Sequence, residues 1–550
     1  MKYAYGIDLG TTYSCIAYVD EFGKPVVLKN SAGASTTPSV VYVESASNIV
    51  VGEEAKRMLE LEADKTVQFI KRKMGKEKNT VNLNGTTYTA QEISGYILKK
   101  LVDDANAELQ QTGVLKDGEE IKDVVITCPA YFGMNEKNAT KEAGVLAGLN
   151  VLDIINEPTA AAISYGVSGQ EREETVLVYD LGGGTFDITV MNINGGNITV
   201  ICSGGDDQLG GKDWDEALMN YVVEKFQAET GEDLSEDPDA VAALYLDVET
   251  WKKSLTSREK VNISVRAMGE RMRDELTRAQ HEEMTRHLLN RTKNLLDDIL
   301  ITSAAAGYPL SRIDKVLLVG GSSFMPQVAK MIREDYGVEA KLQNPNQAVA
   351  EGAAIYAQNQ SAFKDFILQE AQRTGKSVEQ IQEENKFTGD LDKKFSQLNG
   401  GVANNLTITN VLSCTYGVSY RDTQTQKSMI ANMLKINDPL PAKKVETFYT
   451  ASDNQQSVAI RLFETRSNED AIEMEDREPL TVIDMFFTRA VPKGTPVEIT
   501  MALDNSGILH VMAVERLTNS KLDTTFELSH QMSEHELAMA GRRVKGANVE

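Results

Sequence analysis

Two stretches of the sequence place a carboxylate, a glycine turn and threonine hydroxyls directly after a strand-like run. The first is GIDLGTTYSCIAYV, which carries Asp8, Gly10, Thr11, Thr12 and Tyr13. The second is TVLVYDLGGGTFDI, which carries Asp180, Gly182, Gly183, Gly184 and Thr185. Glycine lets a backbone turn sharply and approach a ligand closely, and consecutive backbone N–H groups form a nest for phosphate oxygens. The two aspartates end their strands, where carboxylates could hold Mg²⁺ through water.

The number of such turns decides what they indicate. A structural β-hairpin is enough to explain one of them. Here two copies lie about 170 residues apart, and a third strand-to-glycine turn, Gly320 and Gly321, follows the run Lys315–Val319. Together they predict a nucleotide site. The sequence has no GxxxxGK[ST] motif, which excludes a P-loop NTPase.

Strand-like and helix-like stretches alternate over the first ~360 residues, which indicates an α/β fold. Thr89 and Glu92 match a capping box at the start of a helix, and a second helix is predicted over Asn135–Leu149. Because the strand–turn–strand design occurs twice, we expect two related lobes that face each other. The predicted strands are Tyr3–Asp8, Ser14–Val19, Pro25–Leu28, Ser39–Val43, Asp123–Thr127, Thr175–Tyr179, Phe186–Met191 and Lys315–Val319.

The texture of the chain changes after residue 360. Residues 361–403 combine helical spacing with a polar stretch, which predicts a helical extension and a linker. Residues 404–528 show short alternating runs such as Ser457–Phe463 and Val497–Leu503, with a turn signal at 505–507, and are typical of a β-rich domain. Residues 529–550 predict one short amphipathic helix.

Composition sets further limits. The chain has 550 residues, 81 Asp plus Glu against 57 Lys plus Arg, and a net charge of −24. Such a charge disfavours binding to nucleic acid or to an anionic membrane. The four scattered cysteines form no CxxC pair, so we expect reduced, buried thiols. No run of about 18 apolar residues occurs, and Asp8 interrupts the apolar core that a signal peptide needs, so we expect a cytoplasmic protein.

The motifs, taken in order, resemble the heat-shock protein 70 (DnaK-like) family of chaperones. The matching stretches over residues 6–357 are IDLGTTYSCIA, FIKRKMG, CPAYF, INEPTAAAISYG, VYDLGGGTFDI, LGGKDWD, LLVGGSS and AVAEGAAIYA. PLPAKKVETFYTASDNQQSVAI and DNSGILHVMAV are similar to the family's β-sandwich. The resemblance implies a two-lobed actin-like ATPase, built from duplicated RNase H-like lobes, over residues 1–360, a β-sandwich peptide-binding domain over 404–528 and a remnant of the helical lid over 529–550.

The resemblance also implies an ATPase site with defined roles. Its catalytic residues are Lys71, Glu157, Asp180, Thr185 and Asp187, and its nucleotide-binding residues include Gly210 and Gly211 beside the two turns. Mg²⁺ would be held through water by Asp8, Glu157 and Asp180, and K⁺ is a further candidate ion. Taken alone, Lys71 is more simply a solvated charge beside Arg72 and Lys73, and Asp187 a surface residue at a strand end.

Nucleoside contacts are implied on two sides of the site, by Glu249, Lys252, Lys253, Thr256, Gly320, Gly321, Ser322 and Phe324. The family's two adenine-stacking arginines correspond to Lys253 and Phe324, so we expect Phe324 to stack on the base, and the base selectivity stays open. The implied peptide groove is formed by Val418, Met429, Phe448, Ala451, Val458 and Ile460. An extended peptide would bind there by β-augmentation; the alternative is that these side chains are sandwich core.

Several positions depart from the family pattern. The linker segment LTITN has Asn410 in place of the usual Asp, Asp153 replaces an Arg where J-domain co-chaperones dock, and Lys137 replaces an Arg near Pro129. The lid is almost absent, so a bound peptide should leave quickly.

The sequence therefore predicts an ATP-dependent chaperone that hydrolyses ATP slowly and binds extended apolar peptides. A J-domain co-chaperone and a nucleotide exchange factor are the expected protein partners. Four alternatives remain open at this point: a nucleotide-binding peptide adaptor with weak coupling between its domains, a nucleotide-locked peptide binder, an actin-like filament ATPase and a small-molecule kinase of the same superfold.

Overall fold

The predicted strand–glycine turn–strand units both fold as antiparallel hairpins in the computed structural model. The structure describes residues 3–76, 80–167, 173–388, 391, 394–395, 406–504, 508–526 and 532–550. The predicted turn at 505–507 and the domain boundaries at 403/404 and 528/529 lie outside these residues. In the first lobe the elements are β1 Tyr5–Asp8, β2 Tyr13–Val19, β3 Pro25–Val27, β4 Thr37–Pro38, β5 Val41–Ser45, β6 Asn48–Val51, α1 Glu53–Leu61, β7 Thr66–Val67, β8 Thr80–Leu83, β9 Thr86–Thr89, α2 Ala90–Gln111, β10 Asp123–Cys128, α3 Met134–Leu146, β11 Asn150–Asn156 and α4 Glu157–Val167.

The second lobe repeats the plan of the first. Its elements are β12 Glu174–Leu181, β13 Phe186–Asn194, β14 Asn197–Asp206, α5 Gly211–Thr230, α6 Pro238–Ser257, β15 Lys260–Ala267, β16 Glu270–Thr277, α7 Arg278–Met284, α8 Arg286–Ala305, β17 Lys315–Val319, α9 Pro326–Tyr336, β18 Ala340–Leu342, α10 Ala348–Thr374 and α11 Val378–Thr388. The first sheet has the order β11-β10-β1-β2-β3, and the second has the order β18-β17-β12-β13-β14. In both, the central hairpin is antiparallel and the two outer strands on one side are parallel. The expectation of two related lobes is confirmed.

The two sheets share a core that holds the lobes in register. Helices α4 and α10 contribute buried small residues to it, including Ala161 and Ala353. Gly352 lies so close to α4 that a Cβ there would be 1.7 Å from the carbonyl oxygen of Ala160. Side chains of both sheets, such as Val125 and Val178, complete the cluster.

Several predicted element ends differ from the observed ones, and two of these differences have a clear local cause. The run Ser39–Val43 was expected to be one strand, but β5 begins only at Val41 and Ser39 lies outside it, because Ser39 turns toward the first glycine turn. Its amide donates to the Thr12 carbonyl and its hydroxyl donates to the Gly10 carbonyl at 2.8 Å. The helix expected over Asn135–Leu149 ends at Leu146, since Gly148 adopts a left-handed conformation with φ of 86°.

The β-rich segment forms a two-sheet sandwich. Its strands are β20 Thr415–Arg421, β21 Ser428–Leu434, β22 Ala442–Tyr449, β23 Gln455–Thr465, β24 Ala471–Glu473, β25 Thr481–Val491, β26 Pro496–Leu503, β27 Leu509–Glu515 and β28 Ser520–Phe526, preceded by β19 Thr407–Thr409. The sheets have the orders β24-β21-β20-β23-β25 and β22-β26-β27-β28. Alternating side chains of both sheets, such as Leu462 and Val511, fill the space between them.

The sandwich and the ATPase lobes are in contact. Strand β19 adds to the second sheet in parallel beside β14, pairing Asn197 with Thr407 and Thr199 with Thr409. Met134 at the start of α3 packs into the sandwich core, and the Ser203 amide donates to Oδ1 of Asn437 at 2.9 Å. The linker is thus an edge strand of the ATPase domain.

The final segment is part of the first lobe. Helix α12, Glu534–Gly546, buries Ala540 and Val544 in the lobe's core, and β29, Asn548–Val549, pairs in parallel with β6. The expected single helix is present, and it is followed by a strand that local sequence pattern did not predict. Within the described residues, no helix is long and apolar enough to span a membrane.

Candidate functional site

The two glycine turns face each other across the space between the lobes. A Cβ built on Gly183 would lie 1.8 Å from Oγ1 of Thr12, and one built on Gly184 would lie 2.3 Å from Cγ2 of Thr11. The Gly210–Gly211 segment packs behind the second turn, since a Cβ on Gly210 would lie 2.6 Å from the backbone of Gly184. Only glycine permits these approaches. The structure therefore brings Gly10, Thr11, Thr12, Gly182, Gly183, Gly184, Thr185, Gly210 and Gly211 together around one cradle of backbone groups.

Lys71 lies at the floor of this cradle and is 4% exposed. It stands on the short 3₁₀ turn Ile70–Lys73, where its Nζ donates to the Leu9 carbonyl at 2.5 Å and to Oε1 of Glu157. The interpretation of Lys71 as a solvated surface charge is therefore wrong. Asp187 is also buried, with 1% of its surface exposed, so the interpretation of Asp187 as a surface residue is wrong as well.

Three further carboxylates surround Lys71. Asp8 accepts a hydrogen bond from Oγ1 of Thr127 at 3.0 Å, and Asp187 accepts one from the Ala130 amide at 2.8 Å. Asp180 is the next-to-last residue of β12, just before the second glycine turn. Gly320, with φ of 79°, leaves room for the Asp180 carboxylate, since a Cβ on Gly320 would lie 2.4 Å from its Oδ1. The arrangement concentrates negative charge beside a nest of N–H donors.

Burial and mutual repulsion shift the protonation of these groups. Burial, followed by the Glu157 charge, raises the pKa of Asp8 to about 7. The same two causes raise the pKa of Asp180 and of Asp187 well above the usual range. Burial opposes the charged form of Lys71, yet Glu157 and Asp8 outweigh it and raise the pKa of the ammonium group. A cation among the carboxylates would relieve their repulsion.

The residues present fit a metal–nucleotide complex. Oγ1 of Thr12 is buried in the cradle without a hydrogen-bond partner, as expected of a donor reserved for a phosphate oxygen. The carboxylates offer the oxygen ligands that Mg²⁺ prefers. Among the described residues, no three acidic, His or Cys side chains are placed to hold an ion directly. The donor set suits an ion bound through water.

Above the cradle, a polar clasp joins the two lobes. Glu249 on α6 accepts hydrogen bonds from Nζ of Lys56 on α1 at 2.5 Å and from Oη of Tyr13 at 3.1 Å. Lys253 pairs with Glu249 at 2.7 Å and lies over the Tyr13 ring. Although burial opposes it, these two lysines lower the pKa of Glu249 to about 2. Lys56 was not identified from the sequence, because only its partner 193 residues away gives it meaning.

The other predicted nucleoside contacts occupy two environments. Lys252 is buried, where its Nζ donates to the Gly211 carbonyl and to Oδ2 of Asp215, both at 2.8 Å. Ser322 lies beside it, since a Cβ on Gly211 would be 2.3 Å from its Oγ. Thr256 donates to the Lys253 carbonyl, and Phe324, after the Gly320–Gly321 turn, is 41% exposed. Lys252 thus positions the Gly211 turn, and Phe324 remains open to a ligand.

Arg72 is a second functional residue that sequence reasoning missed. Its Nε donates to the Gly184 carbonyl at 2.8 Å and its Nη2 to Asp213 at 3.2 Å. It therefore fixes the second glycine turn from the first lobe. Its place beside Lys71 in FIKRKMG was the available signal.

The predicted groove residues divide between core and surface. Val418 and Ile460 are 2% exposed and belong to the sandwich core. Phe448 and Val458 are half-buried and pack on that core, Met429 is half-buried, and Ala451 is exposed. Tyr420, two residues beyond Val418, faces Phe448 with ring centroids 6.3 Å apart. The alternation that gave Val418 could have given Tyr420.

The positions that depart from the family pattern are also placed. Asp153 accepts hydrogen bonds from Oη of Tyr356 at 2.7 Å and from the Ile154 amide, and burial raises its pKa. Asn410 follows the paired linker strand, and its Oδ1 is buried without a hydrogen-bond partner. The substitution leaves β19 in register despite this cost.

Comparison with known proteins gives the family of the chain. The family model described as Hsp70 protein matches residues 4–388 and 396–546. A chaperone protein DnaK of Thermosipho melanesiensis is 36% identical over 544 residues, which is 98% of this chain and 82% of the relative. The chaperone protein DnaK of Thermosipho africanus is 35% identical over the same shares. The chain belongs to the Hsp70 protein family.

Proposed function

We propose that the protein is an ATP-dependent molecular chaperone of the heat-shock protein 70 type. It hydrolyses ATP to ADP and phosphate in the cleft between the lobes and binds extended apolar peptides in the sandwich. The observation that carries the proposal is the buried Lys71 at the floor of the glycine cradle, among Asp8, Glu157, Asp180 and Asp187. A cytoplasmic location is part of the proposal.

The chain's own residues supply the chemistry of hydrolysis. Backbone N–H groups of the facing turns bind the phosphates, with Thr11, Thr12 and Thr185 adding hydroxyl donors. Lys71 is held by Leu9 and Glu157, so it orients the attacking water and stabilises charge on the γ-phosphate without reorganising. Asp187, fixed by the Ala130 amide, accepts a hydrogen bond from that water.

Mg²⁺ is the metal that this donor set suits. Asp8, Glu157 and Asp180 would hold it through water, and the bound ion would neutralise charge on the β- and γ-phosphates. K⁺ is a further candidate. Phe324, open to solvent, would stack on the nucleoside base, and Glu249, Lys252, Lys253, Thr256 and Ser322 would line the nucleoside side of the site.

Peptide binding uses the half-buried part of the predicted groove. Phe448 and Val458 present apolar surface, Ala451 is exposed just after β22, and Tyr420 and Met429, paired across β20 and β21, extend the surface. Val418 and Ile460 support this surface from the core. The β19–β14 pairing gives the nucleotide cleft a physical route to the sandwich, which supports a coupled chaperone.

The expected protein partners are a J-domain co-chaperone and a nucleotide exchange factor. At the position where the family resemblance implies an arginine for J-domain docking, Asp153 presents the opposite charge and is held by Tyr356. We expect any such partner to have a complementary surface that tolerates this carboxylate.

Steady-state ATP hydrolysis tests the proposal. Lys71→Ala should lower kcat about 100- to 1,000-fold, the usual loss when a preorganised electrostatic donor is removed. Lys73→Ala, the same change two residues away on the same turn, is the matched control and should keep the parent rate. Retained ATP binding by Lys71→Ala shows that the variant is folded. Equal rates for the two variants would refute the proposed role.

A further inference from the structure

Two glutamates meet at the contact between the first lobe and the sandwich. Glu136 stands in the first turn of α3, and Glu464 stands near the end of β23. Between them lies Gly133: a Cβ built there would be 2.7 and 2.9 Å from the two carboxylate oxygens of Glu464 and 3.1 Å from Oε2 of Glu136. The carboxylates therefore share one small space at the domain boundary.

The basic groups nearby do not neutralise this pair. Oε2 of Glu136 and Oε2 of Glu464 are both buried without a hydrogen-bond partner. Among the described residues neither glutamate forms an ion pair. Arg466, two residues after Glu464, is placed over the Tyr131 ring at 5.5 Å from its centroid. Two carboxylates so close and so poorly solvated do not both ionise without cost.

We propose that Glu136 and Glu464 form a proton-operated latch between the ATPase domain and the sandwich. When one carboxyl is protonated it donates to the other and the domains stay docked. When both are ionised they repel across the interface and docking weakens. The latch is a property of the contact and does not require ATP hydrolysis, so it can fail while the proposed function stands.

The groups around the two glutamates favour the protonated form of Glu136, as the latch requires. Burial, and then the charge of Glu464, raises the pKa of Glu136; Arg466 and Lys76 oppose this only in part. Behind Glu464, the sandwich presents Cys414 and Tyr416, which hydrogen-bond to the Glu464 carboxylate; their pKa values are raised by burial, then by the Glu464 charge, and also by these hydrogen bonds. Tyr131 of the first lobe lies under the Arg466 guanidinium, and burial raises its pKa as well. All three groups are neutral near pH 7 and supply no compensating positive charge.

The sign of the effect follows from this shift. Undocking exposes Glu136 to solvent and returns its pKa to the ordinary value. Because the pKa is higher in the docked state, docking takes up a proton at pH values between the two. Docking is strongest at pH values below the ordinary pKa of Glu136. It weakens as pH rises through the raised pKa of the docked state, and it does not change further at higher pH. A single proton changes the docking equilibrium at most about tenfold per pH unit.

Fluorescence energy transfer in the full-length protein tests the latch. All four native cysteines are buried, so cysteines introduced at the exposed positions Asp117 and Gln424 can be labelled selectively. In chelator-containing buffer with saturating ADP or ATP, the doubly labelled parent should shift toward the docked signal as pH falls from 8 to 5. Glu136→Gln and Glu464→Gln should give the docked signal over the whole range, because an amide can donate where the carboxylate cannot.

Glu469→Gln is the matched control. It removes the same charge from an exposed position of the sandwich and should keep the pH dependence of the parent. Because the glutamine variants are expected to dock better than the parent, a loss of folding cannot imitate the predicted result. A parent signal that does not change with pH, or glutamine variants that follow the parent curve, would overturn the proposal.

Discussion

Val544 on helix α12 provides a sharp test of the assignment of the final segment to the first lobe. Its side chain is fully buried in that lobe's core, beside Gly95 of α2, whose built Cβ would lie 3.4 Å from Cγ1 of Val544. Because of this packing, Val544→Ala should destabilise the ATPase domain and not the sandwich.

The size of the effect can be worked from the packing. Val544→Ala removes two buried methyl groups, at about 0.8 kcal/mol each, and leaves a cavity whose cost brings the loss to about 2–3 kcal/mol. The better helix propensity of Ala returns about 0.5 kcal/mol. We therefore expect the ATPase domain to lose about 2 kcal/mol of unfolding free energy. Met539→Ala on the same helix is the control: Met539 is 49% exposed, so the change should stay within about 0.5 kcal/mol.

Denaturant unfolding followed with and without ATP separates the domains. A ligand stabilises only the unit that binds it, so the transition that ATP raises belongs to the ATPase domain. Val544→Ala should lower that transition and leave the other unchanged. The reasoning is refuted if Val544→Ala behaves like Met539→Ala, or if it lowers only the transition that ATP does not move.

Three other changes have defined outcomes. Gly183→Ala should weaken ATP binding about 10- to 100-fold through overpacking, because the added Cβ would lie 1.8 Å from Oγ1 of Thr12. Gly546→Ala, whose Cβ would meet nothing within 4 Å, is the control and should bind ATP like the parent. Equal ATP affinities of the two variants by calorimetry would contradict the close approach of the two glycine turns. Glu249→Gln should speed ADP release about 5- to 30-fold, since it removes charge-assisted hydrogen bonds worth about 1–2 kcal/mol between the lobes. Glu54→Gln, which removes the same charge from an exposed position, should leave the release rate unchanged. A release rate that does not depend on Glu249 would argue against the polar clasp. Burial, and then the Lys252 charge, lowers the pKa of His281 to about 4. Neutral, buried His281 therefore costs no stability at pH values above its ordinary pKa near 6.5, and as pH falls toward 4 the free energy of unfolding drops by at most about 3 kcal/mol. His281→Gln should flatten this part of the plot of unfolding free energy against pH. An unchanged loss of stability at acid pH in the variant would exclude His281 as its source.

The sequence predicted the architecture of the ATPase lobes because their pattern is local and repeated. Each strand, Asp–glycine turn and returning strand follows directly along the chain, and the capping box at Thr89 and Glu92 forms as expected. Boundaries were less accurate where side chains act at a distance. Ser39 leaves its strand to bond the Gly10 turn, a contact that no local propensity encodes.

The sequence predicted only part of the candidate site, because contacts between distant segments leave no local pattern. Lys71 and Asp187 could not be distinguished from surface charges by their neighbours in sequence, and the family resemblance alone gave them a role. Lys56 and Arg72 were missed because their partners lie 193 and 112 residues away. The pairing of β29 with β6 joins segments 500 residues apart, and a two-residue strand carries no periodicity of its own.

The most direct test of a coupled chaperone is Lys71-dependent ATP hydrolysis measured with and without an extended Leu-rich peptide. The linker strand beside β14 and the docked sandwich predict that the peptide raises the rate, and that Phe448→Ser, at the half-buried groove surface, removes this stimulation without lowering the basal rate. A basal rate that depends on Lys71 but is indifferent to the peptide would contradict the coupling of the two domains.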